Sequence, residues 1–255
     1  MVSAKGNRMN SLKQAMTESE VDQFITVPET TLPEGTLVPS FEVGRYACSR
    51  GVDGKAAVSA IAEPWVSITY FEAVEACARA GYRLITEKQW LAIAWNVCQQ
   101  DCNWSGGKVG AGDLFSGIRN WNVNCAQPGT YVPEDQEERR WLSLSNDEII
   151  CDLNGNIFQW VFDDVQGDDK GIIARNFAKN SVTVTTPPFP SEEKGMGRYE
   201  VWEWPGFALS RGGCWNSGVF AGAFSLDVGY PDIRDSGIGF RCTKPAHDHQ
   251  PPALG

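Results

Sequence analysis

Histidine is almost missing from this 255-residue chain; the two present, His247 and His249, stand in a Pro-rich stretch at its C-terminal end. A Ser-His-Asp triad or an imidazole-ligated metal would have to recruit that stretch, which leaves most histidine chemistry without its reagent. Long apolar runs are also absent. No segment approaches the ~20 residues of a membrane span, and residues 1–20 carry Lys5, Arg8 and Lys13 with no signal-peptide core among them. The expectation is cytoplasmic synthesis without direct membrane insertion, any association with a virion or cell surface being reached by another route. Positive charge is scarce: the formal net charge is −10, and no basic patch offsets it, so nucleic-acid backbones and anionic membranes are poor partners. The glycines at 106, 107, 110 and 112 lack the following Lys-Ser/Thr of a phosphate-cradling loop. No internal repeat is evident.

Tryptophan and cysteine, by contrast, are plentiful. The chain holds 10 Trp and 8 Cys. Trp combines a large apolar face with one polar handle, which suits a loop-rich core or a recognition surface. An even cysteine count invites a disulfide framework, but without a secretion signal buried thiols are expected. Cys98 and Cys102 have a spacing that metal sites use; with histidine confined to the end, such a site would have to be all-thiolate.

Taken in order, Thr17-Glu-Ser-Glu20 has capping-box spacing and predicts a short helix through Phe24. Pro28, Pro33 and Pro39 then predict extended loop, so residues 1–39 read as an N-terminal extension. Residues 40–47 alternate like a strand. Thr69 with Glu72 and Thr86 with Gln89 form two further capping boxes. The first predicts a helix with Tyr70, Phe71, Val74, Cys77 and Ala78 on one face and a stop at Gly81; the second predicts a Trp90, Ile93, Ala94, Val97 stripe. Residues 99–150 and 163–203 lack periodicity and read as long insertions, with Glu134–Glu138 as a solvated acidic run. Strands are expected at Ile157–Phe162, Ala208–Arg211, Ala223–Val228 and Ile238–Cys242. Residues 245–255 read as a disordered tail.

Four phrases fall in register: Cys77-Ala-Arg-Ala-Gly-Tyr-Arg-Leu-Ile-Thr-Glu-Lys-Gln-Trp90, Gly155-Asn-Ile-Phe-Gln-Trp160, Arg211-Gly-Gly-Cys-Trp215 and Gly239-Phe-Arg241. Together they resemble the formylglycine-generating-enzyme (sulfatase-modifying factor) domain, a variant of the C-type lectin fold. The resemblance implies an α+β domain over residues 40–244, with two helices around short antiparallel sheets and long loop insertions. Within that superfamily residues 211–242 resemble the variable region of diversity-generating retroelement proteins, in which a fixed frame surrounds positions rewritten by an error-prone reverse transcriptase. The resemblance implies a non-catalytic, ligand-binding protein, with Ser217, Phe220, Asp227, Gly229, Tyr230, Ile233, Arg234 and Asp235 as the variable set and Asn216, Asp232 and Ser236 as further members. It also implies a buried frame of Arg211, Gly212, Gly213, Trp215, Gly239, Phe240 and Arg241, and a protein or surface ligand as partner.

Catalytic members of the family use two cysteines after the corresponding aromatic, and those positions are Ser217 and Gly222 here. Neither side chain supplies a copper-binding thiolate. The competing expectations are a copper-dependent oxidase with cysteines displaced to Cys214 and Cys242, and a structural module of a phage-like particle. No cofactor is expected. The family's structural calcium points to Asn154 and Asn156, but the charged Glu of that region is Gln159, which removes an oxygen ligand.

Overall fold

The computed structural model describes residues 23–200 and 203–244. The helix expected from Thr17 falls outside them except at its end, where Phe24 is already strand. The expected tail at 245–255 and both histidines also lie outside.

Among the described residues, fourteen short strands and two principal helices make an α+β fold of several small sheets. In chain order the strands are β1 Phe24–Val27, β2 Thr30–Thr31, β3 Leu37–Val38, β4 Phe41–Gly44, β5 Cys48–Arg50, β6 Ala56–Val58, β7 Arg83–Leu84, β8 Trp141–Ser143, β9 Ile149–Cys151, β10 Phe158–Val161, β11 Ala208–Arg211, β12 Leu226–Gly229, β13 Ile238–Phe240 and β14 Cys242–Thr243. One four-stranded sheet runs β1-β4-β14-β7 and a second runs β12-β11-β10-β13, beside the two-stranded pairs β2-β3, β5-β6 and β8-β9. The second is mixed rather than purely antiparallel, because β13 pairs parallel with β10.

Residues 23–39 are not an extension. Strand β1 pairs in full with β4, and Ile25, Val27, Leu32 and Val38 are buried in the main core. The prolines that suggested loose loop instead punctuate very short strands, whose apolar residues supply the burial.

Both internal capping boxes form. Thr69 accepts the Glu72 N–H and Glu72 accepts the Thr69 N–H at the start of α1 (Tyr70–Arg79); Thr86 and Gln89 do the same for α2 (Glu87–Cys98). The buried face of α1 is Tyr70, Ala73, Ala76 and Cys77, whereas Phe71 and Ala78 are exposed. The expected face spanned too wide an arc; 70, 73 and 77 are the set that repeats within one stripe. Helix α2 is buried almost all round, and its Trp90 indole donates to the Ala223 carbonyl at 2.8 Å. It is the central rod of the core, against which the closing segment 211–226 packs.

The two insertions are largely built into the body. The first contains the β8–β9 hairpin, and Glu138 of the acidic run is buried, accepting the N–H groups of Arg119 and Asn120 at 2.7 Å each. A lone carboxylate that satisfies two backbone donors can turn inward where a solvated run would not. All eight cysteines are free thiols, six of them buried, with Cys102 half-buried and Cys125 exposed.

Candidate functional site

Three arginines hold the frame around residues 211–242. Arg241 lies between β13 of one sheet and β14 of the other. Its guanidinium donates to the Gly44, Cys151 and Asp152 carbonyls and to Gln159 Oε1, at 2.6–3.1 Å. It therefore ties β4, β9 and β10 together. Arg211 ends β11 and pairs with both carboxylate oxygens of Glu87, the first residue of α2, while also donating to the Phe224 and Thr183 carbonyls. Burial pushes the Glu87 carboxyl up and Arg211 pulls it back. Both side chains are fully buried, so this bidentate pair fixes one geometry rather than serving as a surface charge.

Gly212 and Gly213 follow at φ +99° and +84°, and a Cβ on Gly213 would stand 2.6 Å from the Ala221 Cα. Only glycine allows that close, left-handed passage. Gly239, Phe240 and Arg241 are buried as expected. Trp215 departs from its expected burial: it is half-buried, with its ring 5.6 Å edge-on from the exposed Trp121 of the first insertion.

The third arginine bears on calcium. Arg140 is buried; it pairs with Asp152 through Nε at 2.8 Å and Nη2 at 2.5 Å, and donates to the Pro128, Tyr131 and Gln127 carbonyls. Asn156 Oδ1 accepts the Gln127 N–H at 2.8 Å, its Nδ2 donates to the Gln127 carbonyl and to Asp152, and Asn154 is likewise engaged with Gly117 and Phe115. Gln159 bridges Asp152 and Arg241. The oxygens that would surround a cation already converge on a guanidinium or on N–H donors, so these residues do not fit a calcium ion.

From this frame most of the residues expected to vary spread outward. Phe220, Tyr230 and Ile233 are exposed by 43%, 62% and 39%; Asp227, Arg234 and Asp235 are exposed too. Tyr230 packs on Phe207, with ring centroids 4.6 Å apart, and Phe207 on Trp204 at 5.4 Å. Arg234 reaches back to the start of α1, donating to the Ser67 carbonyl at 2.9 Å and pairing with Glu72 at 2.5 Å. That guanidinium holds the Glu72 carboxyl down at about 2. Ser217 is half-buried and accepts the Cys214 N–H, while Asp235 accepts the Gly237 N–H; both close local turns. Gly229 is different. A Cβ there would meet the Trp160 ring at 2.8 Å, so this position faces the core instead of solvent.

The long loops at 99–150 and 163–203 are expected from sequence to flank or buttress this patch, and the second does, through residues the sequence does not single out. The segment Met196–Arg198 of the second insertion runs along 220–226: Arg198 N–H bonds the Phe220 carbonyl, Phe224 N–H the Met196 carbonyl, and Leu226 N–H the Arg198 carbonyl, at 2.8–3.1 Å. A cavity of about 360 Å³ opens here, lined by Ser217, Phe220 and Asp227 together with Phe158, Arg198 and Trp204. The mixture of aromatic and charged residues at 198–204 was the available signal, but aperiodic sequence gives no way to place it.

The positions of the family's catalytic cysteines are also on this face. Gly222 is buried, and a Cβ there would lie 2.4 Å from the Met196 carbonyl. The insertion's backbone occupies the space a cysteine would need. Cys214 donates to Asn216 Oδ1 at 2.9 Å and sits 3.3 Å from Ser217 Oγ, its thiol pushed up by burial. Cys242 instead lies with Cys48 and Cys77 in the buried core. The two thiols of the displaced-cysteine expectation thus have different neighbours. Among the described residues, no group of three or more His, Cys, Asp or Glu is placed to hold a metal ion, and no helix is long and apolar enough to cross a membrane.

The family model of the sulfatase-modifying factor enzyme 1-like domain matches residues 12–246. The chain belongs to that family. This sulfatase-modifying-factor-type domain has no match among curated protein sequences. Among solved structures it is similar to Treponema denticola variable protein 1, at 13% identity over 88% of this chain and 94% of that one, with a TM-score of 0.49. It is similar to PvdO from Pseudomonas aeruginosa at 14% identity over 88% and 92%, TM-score 0.41. It also resembles the Major Tropism Determinant P3c variant at 13% identity over 80% of this chain and 50% of that one, TM-score 0.39.

Proposed function

We propose that this chain is a non-catalytic ligand-binding protein that displays a diversified surface on its C-type lectin-like scaffold, as variable proteins of diversity-generating retroelements do. One observation carries the reading. Within a single segment, 211–242, the ends are buried and tied to both sheets and to α2, while Phe220, Asp227, Tyr230, Ile233, Arg234 and Asp235 reach solvent. Such a division lets side chains change without disturbing the fold. Rigid aromatics beside adaptable polar groups are the composition of binding loops. The ligand class is a protein or other surface, and the net charge of −10 speaks against nucleic acid.

The oxidase reading has less support. A Cys at 222 would collide with Met196, and the raised Cys214 thiol is the opposite of an activated thiolate. Copper-dependent oxygen uptake with a Cys-containing peptide, abolished by Cys214→Ser, would establish it nonetheless. The display reading is tested at the gene. A near-copy of the codons for 211–242, differing mainly at adenines and lying beside a reverse transcriptase, is the expected finding. Genomic sequence without either would remove the diversification from the proposal.

A further inference from the structure

The cavity beside Phe220 carries a charge pattern that the display reading leaves unexplained. Arg198 is already answered, since its guanidinium donates to Glu200 at 3.1 Å and lies 5.3 Å from the Phe220 ring centroid. Asp227 is not. Its Oδ1 accepts the N–H of its neighbour Val228 at 2.8 Å, and among the described residues it has no ion pair. Desolvation by the surrounding groups lifts its carboxyl above the usual aspartate range, with the Val228 N–H and Arg198 offsetting only part. A carboxylate in that state gains more from a cation than a fully hydrated one would.

The rest of the lining suits the same guest. Trp204, Phe158 and Phe220 present aromatic surface around Asp227. Aromatic faces attract cations by about 0.5–2 kcal/mol and also cover an alkyl stem. At about 360 Å³ the cavity lies near the small end of ligand pockets, so it accepts a side chain and its immediate neighbours, not a large cofactor. The overall charge of −10 would draw a basic partner in.

We propose that this cavity receives a lysine or arginine side chain of a protein partner, its cationic head against Asp227 and its stem against Trp204, Phe158 and Phe220. The inference rests on the reading of this face as a binding surface and adds the chemistry of what enters it. Because Asp227 and its surroundings include positions of the variable set, the preference belongs to this version of the surface: a chain with another residue at 227 would select another guest.

The test uses the full chain and three blocked tripeptides, Gly-X-Gly with X as lysine, norleucine or glutamate, followed by nuclear magnetic resonance of the Trp204 indole and the 226–229 amides. The expected result is a saturable shift with lysine, weaker by at least about five-fold with norleucine and absent with glutamate. Asp227→Asn, an isosteric change, should abolish the difference between lysine and norleucine while the remaining spectrum stays unchanged. Lysine binding should also weaken as pH falls and Asp227 protonates, earlier than an ordinary aspartate would. Equal or better binding of norleucine or glutamate, or an Asp227→Asn protein that still prefers lysine, overturns the proposal. Panning a displayed peptide library on the same protein separates this failure from that of the display reading. Enriched peptides that contact 220–235 without a basic residue sink only the cation preference. If neither tripeptides nor library peptides perturb any signal between 217 and 235, both fall.

Discussion

The two ends of segment 211–242 and its middle obey opposite rules although they are continuous in sequence. At the ends, Arg211 and Arg241 spend nearly every donor on buried partners from distant elements. In the middle, polar side chains bond mainly to their own turn, as Ser217, Asp227 and Asp235 do, or reach solvent; Arg234, which reaches Ser67 and Glu72, is the exception. A long-range bond to a buried carbonyl makes a residue irreplaceable, because its loss orphans a group that water cannot reach. A local or solvent-facing bond makes it dispensable. Tolerance to change is therefore set by where each side chain's partners lie, not by position along the chain.

The sharpest way to break this comparison is to remove a frame arginine. Arg211→Ala would leave the Glu87 carboxylate fully buried without its cation, and should cost about 3–5 kcal/mol. Arg241→Ala should cost a similar amount by unpairing the Gly44, Cys151 and Asp152 carbonyls together. Against a total stability of roughly 5–15 kcal/mol, either loss takes a large share. Urea denaturation measures it; a change below about 1 kcal/mol would mean that the frame is held by apolar packing instead.

How much of this was legible follows the same division. The helices were readable because a capping box announces itself within four residues, as at Thr69–Glu72 and Thr86–Gln89. Glycines and arginines of the frame were readable through the family's phrases, although the partners of those arginines, from Gly44 to Thr183, were not. Strands of two to four residues carry too little alternation to declare themselves, which hid β1 to β3 behind prolines. The insertions were hardest. Met196–Arg198 joins the face through backbone hydrogen bonds, which any residue can make, so nothing in its side chains marked the location. Gly229 misled for the converse reason: Asp227 and Tyr230 on either side of it reach solvent, but the strand turns 229 onto Trp160.

Intermediate effects belong to glycines on the boundary between frame and face. Gly222→Cys, which restores a family cysteine in name, should destabilise by about 1–3 kcal/mol because the new Cβ meets the Met196 carbonyl at 2.4 Å. It should bring no oxygen uptake with copper, even when combined with Ser217→Cys. Gly229→Ala should lose somewhat less, about 1 kcal/mol, since the added methyl meets a side chain, the Trp160 ring at 2.8 Å, and not backbone at 2.4 Å as at Gly222. Thermal melts of the two proteins order them. If Gly229→Ala melts with the parent, the position is as free as Phe220 and the expected set of eight stands whole.

The smallest effects on stability are expected on the open face, the one proposed to bind. Phe220→Ala, Ile233→Ala and Tyr230→Ala should each move stability by no more than about 0.5 kcal/mol. Tyr230 is the most exposed of the three yet keeps its ring packed on Phe207, and so tests the upper end of that range. Asp227→Asn has a sign as well as a size. The folded-state carboxyl sits above its ordinary value, so the folded protein takes up the proton more readily than the unfolded chain does. Ionised Asp227 thus opposes folding at neutral pH, and that opposition fades as pH falls through the raised value. The Asn protein should match or slightly exceed the parent's stability at pH 7, with the difference vanishing near pH ~3, where both states of the parent are protonated. A less stable Asn protein at neutral pH would show instead that the ionised carboxylate is holding the fold, and would move Asp227 from the face into the frame.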